Sequence, residues 1–353
     1  MHKSRYRFSV CAVLLAGSLQ APPAAAHPAW GIVIDPQGRV VFSEVETNTI
    51  WRLENGRPVP ILRGKHSHEI HVDAAGNLYG EHLAYRQAGE RWLLSLWRLT
   101  PDGREVQLAP PSDTVELPRG LGSLRDRQGN TYAFRDSFQR VDAVELYRRS
   151  PAGEAVFLAG GPPGHADGRG AAARFTGIQG KVLGADGALY VTDGATVRRI
   201  SPDGMVTTVG GDPLAGVSHG ERPRLLGLAV GRRGEVLVAD YDHRSVREIG
   251  SDGHVREVWR SGRYWAPSGV AAGGGAVYVL EARPEALGFL GRSAPFARVW
   301  RLGPGGSRTL LATVGRWNPT IAWAPLLVIG AAAGLLTLRR RRRGPAAAQP
   351  GRM

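Results

Sequence analysis

The sequence predicts an all-β fold, a six-bladed β-propeller of four-stranded blades, with one C-terminal transmembrane helix. Two observations predict the propeller. An apolar strand, a Gly-containing turn and a second strand, usually closing on an acid, recur six times at roughly 40-residue intervals. Each of these hairpins is followed by a third alternating apolar run and, after another turn, by a fourth short strand. The helix rests on a third observation: residues 321–338 form an uncharged apolar run long enough to cross roughly 30 Å of hydrocarbon.

The hairpins, in order, are GIVIDPQGRVVFSE (31–44), EIHVDAAGNLYGEH (69–82), GSLRDRQGNTYAFR (122–135), GKVLGADGALYVTD (180–193), GLAVGRRGEVLVAD (227–240) and the shorter GVAAGGGAVYVLE (269–281). Their third strands are TIWRLE, SLWRLT, ELYRRS, TVRRIS, SVREIG and RVWRLG, and fourth strands such as MVTTVGG and HVREVWR follow PDG-like turns. Four short strands with turn signals between them are the sequence form of a propeller blade. A twisted blade buries both faces against its neighbours, so the ring has to close to be stable. The propeller is expected over residues 27–315.

The two ends carry different signals. Lys3, Arg5 and Arg7 precede an apolar stretch from Phe8 to Leu19, and Ala24 to Ala26 offer the small residues a signal peptidase reads. Residues 1–26 are therefore expected to be a secretory signal, with cleavage before His27. Cys11, the only cysteine, lies in that signal, so the mature chain is expected to be held by packing without disulfides. At the other end Trp317 and Trp323 sit where interfacial aromatics belong, and Arg339 to Arg343 open a basic tail, 339–353. Positive charge stays on the cytoplasmic side, which puts the propeller outside the cell membrane, periplasmic or extracellular. A helix followed by an Arg cluster is also the form of a cleaved sorting signal, although no recognisable cleavage tripeptide precedes Ile321.

The formal charge of +14 is mostly terminal: the signal carries +3 and the tail +6, leaving +5 on the exported part. That is a mildly basic surface and excludes a nucleic-acid footprint as the reading of the charge. The excess of Arg over Lys, with abundant Ala, Gly and Pro, fits a GC-rich bacterial genome.

Residues 159–211 contain ADGRGAAARF, then DGALYVTD, VRRISPDG and VTTVGG, and LVADYDHRSVREIGSDG follows at 237–253. These segments resemble NHL repeats, most specifically in blades four and five and least in two and three. The resemblance implies a six-bladed ring and leaves the job open. Some NHL propellers bind proteins or RNA, and a related enzyme group uses a zinc-bearing propeller as a lyase.

The repeat supplies an internal standard for sites. The innermost strand opens on Gly31, Gly122, Gly180, Gly227 and Gly269, where side chains would crowd the axis, but on Glu69 in blade two. The second strand closes on Glu44, Asp193, Asp240 and Glu281, acids expected to fix turns, but on His82 in blade two and Arg135 in blade three. With a turn around Ala74 to Gly76, Glu69 is expected opposite His82 and His71 opposite Gly80. Glu69, His71 and His82 then converge as a candidate divalent-metal site, zinc being the natural ion for two imidazoles and a carboxylate. The competing reading is a Glu–His pair that fills a gap in the channel. His68 and Glu81 lie within reach, while His66 and His68 face away from Glu69 and His71. Arg135 and Asp136, with Tyr85 and Arg86, sit on loops where a ligand could touch them. His165, Asp167 and His243 belong to positions that are structural in the resembled repeat, and His27 before Pro28 is a poor copper chelate.

Two functions are expected from these features. One is a membrane-tethered binding or scaffolding module of the bacterial envelope, taking a protein or small-molecule ligand on a propeller face. The other is a metal-dependent hydrolase or lyase at the blade-two channel mouth, with Arg135 orienting an anionic substrate.

Overall fold

The computed structural model describes residues 28–86, 91–113, 122–136, 143–210, 224–283 and 296–315. The expected signal (1–26), transmembrane helix (321–338) and basic tail (339–353) lie outside them. Among the described residues no helix is long and apolar enough to cross a membrane.

Six antiparallel sheets hold the six predicted units, each built from one continuous stretch of chain with its strands in sequence order apart from one added strand in blade four. The innermost strands are Ile32–Ile34, Ile70–Val72, Leu124–Arg125, Ile178–Leu183, Leu225–Val230 and Ala266–Gly273. Each packs against the next, and the strand of blade one touches those of both blade two and blade six, so the ring is closed. Trp30 and Gly31 fasten that closure. Their amides donate to the His68 carbonyl at 2.8 and 2.7 Å. A Cβ on Gly269 would lie 2.3 Å from the Trp30 carbonyl oxygen, and one on Gly227 2.8 Å from the Gly269 Cα. The glycines that open the innermost strands are thus required by the approach of neighbouring backbones around the axis.

The hairpins owe their shape to local chemistry. Asp35, Asp73 and Asp126 each accept two backbone N–H bonds from the residues two and four positions on, at 2.8 to 3.0 Å. Gly38, Gly76 and Gly129 then take φ of 78°, 84° and 82°, the left-handed conformation that a following bulge needs. Blade four departs from the four-strand plan. Gly168–Arg169 adds a short fifth strand outside Met205–Val209, built from the loop that enters the blade.

The core lies between blades. Apolar clusters join blades one and two, three and four, four and five, five and six, and six and one. Among the described residues the seam between blades two and three is different: the Arg125 guanidinium lies over the Tyr79 ring at 4.3 Å. The two blades that match the repeat least well in sequence therefore also meet through polar groups.

Candidate functional site at the axis of blade two

The turn at Asp73 settles how residues 66–82 are distributed. The Asp73 amide donates to Asn77 O at 3.0 Å, so the loop closes one residue earlier than the sequence spacing suggests. Ile70 consequently pairs with Gly80 and His71 with Tyr79. Because strand side chains alternate, this one-residue difference sends His82 to the face opposite Glu69 and His71. The expected pairings of Glu69 with His82 and of His71 with Gly80 are corrected accordingly. Gly80 has another use: a Cβ there would meet the Trp97 indole at 2.3 Å, and Trp97 donates from Nε1 to Ser67 Oγ at 3.1 Å.

Glu69 and His71 do stay together. His71 Nε2 lies 3.4 Å from Glu69 Oε2, and both side chains are nearly buried, at 8% and 11% exposure. Their third member is Lys181, from the innermost strand of blade four. Its ammonium stands 2.6 Å from Glu69 Oε2, and its backbone N–H donates to Glu69 Oε1 at 2.6 Å. Glu69 thus reaches past the two-residue innermost strand of blade three to tie two non-adjacent blades. Burial pushes its carboxyl up. The charges of Lys181 and His71 and their hydrogen bonds outweigh burial and hold it at about 2, below an ordinary 4.5.

The other histidines are used elsewhere. The His66 amide donates to His82 Nδ1 at 2.9 Å, which occupies that ring nitrogen with backbone. Burial, then the nearby Lys65 charge, lowers the His82 pKa. His66 Nδ1 sits 3.0 Å from Asn48 Oδ1, its ring meets His68 edge-on at 4.8 Å, and His68 stacks on Trp30 at 5.2 Å. The expected metal triad is therefore not assembled. Glu69 and His71 are shared with a lysine, and His82 caps the entry to its own hairpin. Among the described residues no three His, Cys, Asp or Glu side chains are grouped to hold a metal ion. A donor set that includes an ammonium in salt-bridge contact is also the wrong chemistry for Zn²⁺.

Glu81 is half-buried and pairs in register with Leu96. Arg135 pairs in register with Glu145, and Asp136 with Val144, while the Arg135 and Asp136 side chains lie outside the described residues.

The four turn acids are all buried. Glu44 accepts the amides of Glu46 and Thr47, the latter at 2.9 Å. Asp193 accepts the amides of Thr176 and Gly177 at 2.6 and 2.9 Å and pairs with the fully buried Arg198 at 2.9 Å. Asp240 accepts the His243 amide at 3.2 Å and the Arg247 Nε at 3.1 Å. Glu281 differs: it takes side chains, Trp300 Nε1 at 2.8 Å and Arg298 at 2.7 Å.

Sequence reasoning missed Lys181, although its column held a signal. The equivalent residues in the other blades are Ile32, Ile70, Ser123, Leu228 and Val270, so a lysine there is as anomalous as Glu69. His71 likewise replaces Val33, Leu124, Val182, Ala229 and Ala271.

What this cluster can do follows from its charges. A carboxylate held near 2 is a weak base at neutral pH, ill-suited to abstract or deliver a proton. As a buried, mutually neutralised group it ties the innermost strands of blades two and four together.

No protein-family model matches the chain, and no curated protein matches it. Solved structures do. A provisionally named gluconolactonase superposes at a TM-score of 0.51 with 16% identity, over 83% of this chain and 93% of its own. The tricorn protease superposes at 0.50 with 12% identity, over 83% of this chain and 27% of its own. A virginiamycin B lyase from Staphylococcus aureus gives 0.47 with 14% identity, over 80% of this chain and 83% of its own. Likeness at such identities shows the fold alone.

Proposed function

We propose that this chain is an exported NHL-type propeller, tethered by residues 321–338, that serves as a binding or scaffolding module in the bacterial cell envelope. The observation that carries this choice over a metal-dependent hydrolase or lyase is the commitment of Glu69. Its two oxygens are taken by Lys181 and His71, its basicity is low, and His82 is turned to the other face of the hairpin. A closed ring with these paired charges at its innermost strands offers surfaces for a partner and, among the described residues, no grouped metal-ligand set. The signal and span features of the sequence put that ring where it would meet other envelope components.

Two measurements test the reading. Elemental analysis of the purified protein, beside Glu69→Ala and His82→Ala, is expected to find no stoichiometric metal. One ion per chain, lost in both variants, would replace the binding reading with the metal-enzyme one. In intact membranes, photoreactive residues at the exposed Gln37 and Ala75, in the Asp35 and Asp73 turns, are expected to capture a defined partner. A residue placed at Trp92, on the opposite, loop face of blade two, is the comparison, and equal or absent capture at both faces speaks against a docking role.

A further inference from the structure

The last strand shows which face of the ring the tether leaves from. In blade six Ala266, Ala282, Ala297 and Val314 form one row across the sheet. This row lies at the end of the blade where the loops between blades enter, opposite the end that carries the β-turns of Asp35, Asp73 and Asp126. The outer strand Arg308–Val314 runs toward that row, so the chain departs there. Only residues 315–320 separate it from the apolar run. At about 3.5 Å per residue they span at most ~20 Å. The blades, with strands of five to six residues, are themselves ~20 Å thick. A tether that short cannot carry the opposite face round to the bilayer.

Two positions before Ala266 in the sequence, the same face presents Tyr264, at 50% exposure one of the few large apolar side chains exposed among the described residues. The Arg263 guanidinium stands 5.6 Å over its ring. Arg244 is exposed beside it and donates from Nη1 to the Arg263 carbonyl at 3.0 Å. Neither Arg263 nor Arg244 forms an ion pair among the described residues. The acids nearby are already matched: Asp242 lies 3.4 Å from Arg224, and Glu257 pairs with Arg260. An exposed tyrosine flanked by two unmatched arginines is the composition of a membrane-interface contact, the ring at headgroup level and the charges on anionic lipid.

We infer that the loop face of blades five and six rests on the bilayer and contacts anionic lipid headgroups through Arg244, Arg263 and Tyr264. The inference builds on the tether of the proposed function and adds an orientation: the turn face points away from the membrane and is the one left open to a partner in solution. An arginine near an anionic surface shifts partitioning about five-fold, so the pair is worth more than ten-fold.

The full chain is cysteine-free once Cys11 leaves with the signal, which permits single-site labels. Nitroxides at Tyr264→Cys and, on the opposite face, at the exposed Arg57→Cys are read against a nickel-chelating lipid. The protein is reconstituted in vesicles of phosphatidylglycerol with phosphatidylcholine, and of phosphatidylcholine alone. The expected result is strong broadening at position 264 in the anionic vesicles, little at 57, and loss of the contrast in Arg244→Glu/Arg263→Glu while the chain stays in the membrane. Equal broadening at both positions, or broadening indifferent to the arginines and to the lipid charge, overturns the orientation and leaves the tether standing. Release of the chain by alkaline carbonate overturns the tether, and the orientation with it.

Discussion

Replacing Lys181 with Met removes the ammonium that, among the described residues, faces the buried Glu69 carboxylate, while keeping the length of the stem. A carboxyl held at about 2 instead of 4.5 corresponds to about 3 kcal/mol of stability at neutral pH. Most of that is expected to go with Lys181, since breaking a buried pair from one side leaves an uncompensated charge. In the parent protein the contribution is complete above the unfolded value of 4.5 and is lost as pH falls from there toward 2, because the unfolded chain takes up the proton first. In Lys181→Met burial still pushes the carboxyl up and only His71 and the retained backbone N–H of residue 181 oppose it, so this acid dependence flattens. The double variant Glu69→Gln/Lys181→Met removes both charges and is expected to return within about 1 kcal/mol of the parent. Guanidinium unfolding of these three proteins and of Glu69→Gln, at neutral pH and at several acidic values, completes the cycle. If Lys181→Met lost less than about 1 kcal/mol and kept the parent's acid profile, Glu69 would not be the axial anchor described above.

Three further outcomes follow from single sites. Arg198→Met should destabilise by about 3–5 kcal/mol in the same unfolding assay, because fully buried Arg198 neutralises Asp193 and bonds the Ala166 and Arg174 carbonyls. Gly227→Ala should cost at least about 2 kcal/mol and lower the melting temperature, since the new Cβ would meet Gly269 Cα at 2.8 Å and the Trp30 carbonyl at 2.9 Å, both backbone. The His82 ring, followed by NMR, should titrate below the ordinary 6.5, burial being the larger cause and Lys65 the second. Its neutral form is the one folding favours, so the stability it contributes is present above 6.5 and fades as pH drops; a midpoint at or above 6.5 would contradict the burial described.

Much of the ring was legible because its determinants are local. Each Asp-x-x-Gly-x turn closes on bonds between residues two to four apart, and the alternating apolar runs expose their period directly. The segment SVREIG at 245–250 coincides with the strand Ser245–Ile249, and TIWRLE at 49–54 with Thr49–Glu54. The anomaly at Glu69 was also visible, because five glycines in the same column define what the axis tolerates. The site around it was not, for two reasons. The register turned on whether Asn77 falls inside or after the loop, a choice made by the Asp73 side chain and the left-handed Gly76. And the partner of Glu69 is 112 residues away in a blade that is not its neighbour.

The sequence alone determined the unit of this protein: the hairpin, its turn chemistry, the six-fold count of that unit and the glycine-lined axis that a closed ring demands. These are properties of short segments, repeated, and each repeat reports the same physics. Tertiary structure decided what happens where blades meet. It placed Lys181 against Glu69, put Arg125 over Tyr79 in the seam between blades two and three, and turned His82 away from the two residues it was expected to join. Such pairings depend on ring closure, which brings together residues that no local period relates, and on a single-residue bulge that exchanges the two faces of a strand.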